Sequence, residues 1–262
     1  MIILKAEREI GYMREAGQIL ARTLAAVKAA VEPGISTMDL DRMAEKMIRQ
    51  AGGKPSFKGY KGFPATLCTS INDEVVHGIP STKRRIKEGD ILSIDIGVII
   101  NGYHADAAVT IPVGEVSPKI QELLAATEKA MWAGIAQARA GKRLGDIGAA
   151  IQAVGDPLGF GIVRDFVGHG IGQSLHEDPQ VPNYGTPGYG TVLKAGMCLA
   201  IEPMFNMGTH IVKVMPDQWT VVTTDGGWSA HFEHSLVVRE GEPEVLTVQR
   251  VESPQSAVGS GQ

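Results

Sequence analysis

Cysteine is nearly missing from this 262-residue chain, which holds only Cys68 and Cys198. Two cysteines make no disulfide framework, so a reducing, cytoplasmic setting is expected. Long apolar runs are missing too. No stretch approaches the ~18 consecutive apolar residues of a bilayer-crossing helix, and no membrane association is expected. Met1-Ile2-Ile3-Leu4 turns charged at once at Lys5, Glu7, Arg8 and Glu9, which leaves no apolar signal-peptide region. Neither charge sign dominates: 25 Lys+Arg against 29 Asp+Glu gives −4. The longest basic run, Lys83-Arg84-Arg85, reads as a solvated loop, so direct nucleic-acid recognition is not expected. Also missing are a Gly-x-Ser-x-Gly elbow, a Walker loop and a His-Glu-x-x-His pair. Gly168-x-Gly170-x-Gly172 lacks the Lys-Ser/Thr that follows in a phosphate loop.

What is there is ordinary globular composition, 44% hydrophobic and 21% charged. The length suits one large domain or two fused halves, and the sequence repeats itself. Ile10, Met13, Gly17, Leu20, Leu24, Val27 and Val31 alternate steps of three and four, the pattern of a helix with one buried stripe. Ile120, Leu124, Thr127, Met131, Gly134 and Ala138 repeat it. At the same offset, Gly34…Asp39-Leu40 matches Gly141…Asp146-Ile147, a turn and then a second helix. Lys87-Glu-Gly-Asp-Ile-Leu-Ser-Ile-Asp95 likewise matches Lys194-Ala-Gly-Met-Cys-Leu-Ala-Ile-Glu202. His104-x-Asp106 matches His231-x-Glu233 after a longer spacer. Chance alignment does not readily give four segments in one order. Each half therefore reads helix, helix, strand, strand. The expectation is an α+β fold with helices over a mainly antiparallel sheet. One catalytic domain is expected over 1–250, built of halves near 5–115 and 116–245. The Ser/Gly/Gln-rich residues 252–262 are expected to be a disordered tail.

The repeat leaves acids in pairs, Asp95 with Asp106 and Glu202 with Glu233, each in an apolar strand-like run. Asn101-Gly102 is the signal of a two-residue type I′ hairpin. In that register Asp95 faces Ala108, and Asp106 lies on the same face, about 7–8 Å away at the backbone. One such Asp alone would read as an edge charge or a capping acceptor. Four buried carboxylates would be very costly as bare anions, and cations neutralise them without protonation. His169, flanked by glycines, adds a nitrogen donor. This donor set suits Mn²⁺, Fe²⁺, Co²⁺ or Zn²⁺ without choosing among them. A metal pair that shares a water performs hydrolysis.

These residues sit in specific motifs: Ile71-Asn-Asp-Glu-Val-Val-His77-Gly-Ile-Pro80, Asp95-Ile-Gly, Tyr103-His-Ala-Asp106, Gly168-His169-Gly-Ile-Gly172, Leu175-His176-Glu-Asp-Pro179, Ile201-Glu202-Pro203 and Phe232-Glu233-His234. In them the chain resembles the type I methionine aminopeptidases, of the pita-bread fold, from Met13 to about Val238. The resemblance implies two divalent ions, of cobalt, manganese, iron or zinc. Asp95 would chelate one ion, Asp106 and Glu233 would bridge, and His169 and Glu202 would complete the other. Glu202 would also help take a proton from the attacking water. His176 would hydrogen-bond the scissile carbonyl, and His77 would sit beside the substrate. Phe57, Tyr60, Phe63, Cys68, Leu175 and Trp219 would form the methionine pocket. Phe57 and Leu175 stand where Cys and Phe are common in bacterial members, which alters pocket shape and inhibitor profile but not the chemistry. The implied substrate is a nascent chain with a small second residue, met through transient ribosome contact by a monomer. Two other readings share the scaffold. An Xaa-Pro peptidase would carry the same ligands, but its large N-terminal domain is not expected here. A metal-free binding protein would have lost them. The stretch between His169 and Glu202 is too short for the helical insertion of the type II enzymes.

Overall fold

A computed structural model of the protein describes residues 1–250. The tail expected at 252–262 lies outside the described residues. Four helices form where the periodicity places them: α1 Glu7–Ala29, α2 Thr37–Gln50, α3 Pro118–Gln137 and α4 Leu144–Gly155. Glu7 and Glu9 complement the positive end of α1, and the Glu9 carboxylate accepts the Ala6 N–H at 2.7 Å. Ser36 caps α2 by accepting the Asp39 N–H. Ser117 and Pro118 open α3 as an N-cap and a first-turn proline. The predicted stripes are the buried ones: Ile10, Met13, Leu20 and Val27 in α1; Ile120, Leu124 and Met131 in α3.

The strands of the first half are β1 Lys54–Pro55, β2 Leu67–Ile71, β3 Glu74–Val76, β4 Ile91–Ile100 and β5 Tyr103–Pro112. Those following α4 are β6 Gly161–Ile162, β7 Gly168–Gly170, β8 Glu177–Val181, β9 Cys198–Ile201 and β10 Met204–Asn206. After them come β11 Val212–Val214, β12 Val221–Thr223, β13 Ser229–His231, β14 Glu233–Val237 and β15 Glu244–Val245. One nine-stranded sheet runs β1-β4-β5-β14-β9-β7-β8, with β2 also on β4 and β15 on β14. The strand ladders are antiparallel. The halves join at β5 and β14, where Glu233 pairs with Ala108 and His234 with Ala107. Each half has its own apolar core. One lies between α1, α2 and β4, and the other under α3 and α4.

The hairpin has the expected register. Asn101 (φ 49°) and Gly102 (φ 83°) both have the positive φ of a type I′ turn. Ile100 pairs with Tyr103, Asp95 with Ala108, and Gly97 with Asp106.

The second half departs from two plain strands. Its counterpart of β5 is divided: β13 pairs with β10 and β14 with β9. The break falls at Pro203, which has no N–H to give the ladder, while Phe232 N–H donates to Pro203 O at 3.3 Å. Glu202 and Glu233 lie at this break. The longer spacer is the β11–β12 hairpin, which pairs with β3 in a separate three-stranded sheet.

Asp41 ties α2 to the sheet. Its buried carboxylate accepts the Thr66 and Leu67 N–H groups, both at 2.8 Å. Removing an acceptor strands each buried donor at about 1–3 kcal/mol. Asp41→Ala is therefore expected to lower unfolding free energy by about 3 kcal/mol, seen as an earlier urea midpoint. An unchanged midpoint would show that the donors find other partners.

Candidate metal centre

The sheet brings five potential ligands to one cavity of about 390 Å³. Asp95 comes from β4, Asp106 from β5 and His169 from β7. Glu202 follows the end of β9, and Glu233 begins β14. A ligand atom each of Asp106, His169 and Glu233 lies within 4.8 Å of the others. All three side chains are buried, and Asp95 is only 9% exposed.

Electrostatics make this assembly unstable as bare anions. Burial pushes Asp95 up to about 7, with the neighbouring Glu202 adding to the rise. Burial pushes Glu202 up to about 8. Asp106 and Glu233 go well above the carboxylate range through burial and then the repulsion of the other acids. Three buried oxygens, Asp95 Oδ1, Asp106 Oδ1 and Glu233 Oε1, have no hydrogen-bond partner among the described residues. The His169 Nδ1 lies 2.9 Å from Gly170 O, a pure acceptor. Its proton is therefore on Nδ1, and the Nε2 lone pair points 3.5 Å from Glu202 Oε1. Orphaned oxygens and a lone pair facing a carboxylate need positive charge among them. The residues fit a divalent cation centre with mixed oxygen and nitrogen donors.

Every other residue singled out from sequence lines the same cavity: His77, His176, Phe57, Tyr60, Phe63, Cys68, Leu175 and Trp219. His77 follows β3 with φ 61°, a conformation strained for a non-glycine residue, and it packs edge-on against Phe166 and Trp219. Burial lowers His77 to about 4, so its imidazole is neutral near pH 7. Burial, then the charge of Lys61, lowers His176 as well. The His176 ring lies on Tyr60, whose hydroxyl is 2.9 Å from Nδ1. A hydroxyl that donates there leaves the proton on Nε2. Phe57, Phe63, Cys68 and Leu175 are buried, and Phe63 meets Trp219 edge-on at 5.1 Å. Cys68 pairs with Asp95 across β2 and β4. Burial, then that carboxylate, pushes its thiol well up, so Cys68 serves as an apolar wall and not as a nucleophile.

Sequence reasoning missed Lys61, Asp165, Phe166 and Gln180 on the cavity wall. No motif signals them; Gln180 arrives by pairing with His169 across β7 and β8, and the others by tertiary packing of the segments that carry them. It also missed His231, which is 2% exposed with Nε2 3.5 Å from Glu202 Oε2. A signal for it existed. The repeat aligns His231 with His104, and each stands two residues before a metal-site acid. His104 bonds Ser56 Oγ through Nδ1 at 2.9 Å.

Comparison with known proteins agrees with this geometry. A model described as metallopeptidase family M24 matches residues 11–240. A methionine aminopeptidase of Clostridium acetobutylicum is 51% identical over 248 residues, covering 95% of this chain and 99% of that one. Methionine aminopeptidase 1 of Bacillus subtilis is 52% identical over 247 residues, covering 94% and 99%. The solved methionine aminopeptidase of Thermotoga maritima superposes with a TM-score of 0.93 at 44% identity, over 95% of this chain and all of that one. The prolidase of Pyrococcus furiosus shares the fold alone, with a TM-score of 0.74 at 24% identity, and 66% of it is covered. Helices over an antiparallel sheet, with these neighbours, make the fold the expected pita-bread α+β architecture.

The acids set a pH dependence for the metal-free protein. Folded, they stay protonated where the unfolded chain has already released those protons. Stability then falls as pH rises. The buried histidines act oppositely, but only below the ordinary imidazole value of about 6.5, since their folded values lie near 3 for His169 and near 4 for His77 and His104. Between about pH 6.5 and 8 the acids act alone. Metal ions bind the deprotonated carboxylates and cancel the slope. Chelator-treated protein is expected to melt at progressively lower temperature across that window, while ion-loaded protein changes less. A metal-free melting temperature that rises with pH there would contradict the protonated-acid picture.

Proposed function

The chain belongs to metallopeptidase family M24, and on that footing we propose that it is a methionine aminopeptidase, hydrolysing the first peptide bond of a polypeptide that begins with methionine. The convergence of Asp95, Asp106, His169, Glu202 and Glu233 in one buried cavity carries this reading. Identities of 51% and 52% to methionine aminopeptidases, against 24% to a prolidase, favour it over an Xaa-Pro peptidase.

The five residues would hold two divalent ions of cobalt, manganese, iron or zinc. When bound, such ions polarise the scissile carbonyl and make a water acidic enough to attack it. Glu202, a basic carboxylate in its buried setting, accepts the proton that the attacking water gives up. Neutral His176, with Nδ1 held by Tyr60, donates Nε2–H to the carbonyl oxygen as negative charge grows there. A donor so placed contributes on the order of 3–4 kcal/mol to the transition state. His77, neutral and rigidly packed, borders the peptide bond and the second residue. The apolar wall of Phe57, Phe63, Cys68, Leu175 and Trp219, with Tyr60, receives the unbranched thioether. The likeness to methionine aminopeptidases favours a small second residue.

Residues 1–250 act as one catalytic unit, because the first half supplies Asp95 and Asp106 while the second supplies His169, Glu202 and Glu233. Neither half holds the site alone. The substrates are nascent chains, met by a cytoplasmic monomer in transient contact with the ribosome and without direct nucleic-acid recognition. The two free, buried cysteines suit that compartment. No described helix is long and apolar enough to cross a membrane.

Purified protein reconstituted with divalent ions is expected to cleave Met-Ala-Ser, to spare an Xaa-Pro peptide, and to stop when a chelator is added. Preference for the Xaa-Pro peptide would end the methionine reading, and chelator-resistant cleavage would end the metal one. His176→Ala is expected to lower kcat by about 100-fold or more while leaving calorimetric metal affinity nearly unchanged. Equal losses in both would contradict the role given to His176.

A further inference from the structure

Lys5 and Glu177 form a largely buried ion pair. Their Nζ and Oε2 atoms are 2.5 Å apart, and the side chains are only 4% and 11% exposed. No reacting group touches Lys5 in the scheme above. A buried pair of this kind adds little net stability over an apolar pair of the same volume, so its use is geometric.

The geometry is specific. Glu177 directly follows His176 and opens β8. Its second oxygen, Oε1, accepts the Ser174 N–H at 3.1 Å. Gly172 N–H in turn donates to Ser174 O, and Gly172 O accepts the His104 N–H at 2.8 Å. Residues 172–177 are thus one short turn, closed by the Glu177 carboxylate and tied to β5. Lys5 holds that carboxylate from outside, and is itself fixed by its N–H on Gly196 O and its Nζ on Ile3 O. The fit leaves no slack: a Cβ on Gly172 would lie 2.4 Å from Lys5 Cε and 2.6 Å from Glu177 Oε1. The turn carries Leu175 and His176 into the cavity. Tyr60 holds Nδ1 of the His176 ring and the His169 ring lies 4.3 Å away, while the turn and the start of β8 place its backbone.

We propose that Lys5 is a positioning residue for His176: through Glu177 it locks the turn that aims the imidazole at the scissile carbonyl. The inference rests on the role given to His176 above. Displacing a group that must meet developing charge by a fraction of an ångström lowers turnover more than substrate affinity.

Lys5→Met/Glu177→Gln removes both charges together and so leaves no buried ion unpaired. The test is a double-mutant cycle between this pair and His176→Ala, using metal-loaded protein and Met-Ala-Ser. Alone, the pair variant is expected to lower kcat about tenfold with KM nearly constant. Its calorimetric metal affinity is expected to match the parent protein. In the His176→Ala background the same replacement is expected to change kcat less than about twofold, because the group it positions is gone. A tenfold loss in both backgrounds, or a lower melting temperature with parental kcat, overturns the inference. If Lys5→Met/Glu177→Gln does not fold, Lys5→Arg in the same cycle takes its place. A bulkier cation there must shift the turn, so a parental kcat for Lys5→Arg overturns the inference. His176→Ala with parental kcat is a different result: it removes the catalytic role of His176 itself.

Discussion

The cost of keeping four carboxylates charged in one largely buried site governs this structure. Asp95, Asp106, Glu202 and Glu233 share one cavity. Left bare, all four hold their protons because they are buried, and repulsion from the neighbouring acids adds to this at Asp95, Asp106 and Glu233. Only a compensating positive charge lets them all ionise. The fold must hold them together against that repulsion, and it does so with a continuous hydrogen-bonded sheet rather than with loops. β4 and β5 fix the first pair through a ten-residue register. β14 bridges to β5 and β9, so the second pair is placed by the same ladder. An interruption at Pro203 and Phe232 places Glu202 just past the end of β9 and Glu233 at the start of β14.

Around the acids stands a group of uncharged imidazoles. Burial lowers His77, His104, His169, His176 and His231 alike. Neutral rings can donate or accept a hydrogen bond without adding charge, which leaves the compensation of the acids to bound cations. What each ring does follows from its partner: Gly170 O on His169, Tyr60 on His176, Ser56 on His104. The apolar pocket lies beside this polar group and shares its walls. Cys68, for example, belongs to the pocket and pairs with Asp95. The apolar wall and the placement of Asp95 are therefore mechanically coupled.

Much of this was legible beforehand because it depends on local periods. Helical stripes, the Asn101-Gly102 turn and the facing of Asp95 and Ala108 follow from residue spacing alone. The duplication was legible because matching segments keep their order. The division between β13 and β14 was not, although Pro203 marked the position, since a proline shows that a ladder is interrupted and not where the chain goes next. Lys61, Asp165 and Phe166 were hidden for another reason. Their loops reach the cavity by tertiary packing, and nothing in their neighbours reports it. Lys5 lies far along the chain from Glu177, so no spacing rule connects them.

Residue order by itself determined the four helices, the paired acids, the hairpin register and the need for cations, because these rest on periodicity and on the cost of buried charge. Tertiary structure alone decided that the two halves meet at β5 and β14, that His231 stands against Glu202, and that Lys5 braces the turn bearing His176. Those contacts join segments distant in sequence, and their geometry exists only once the sheet has closed and the helices have packed upon it.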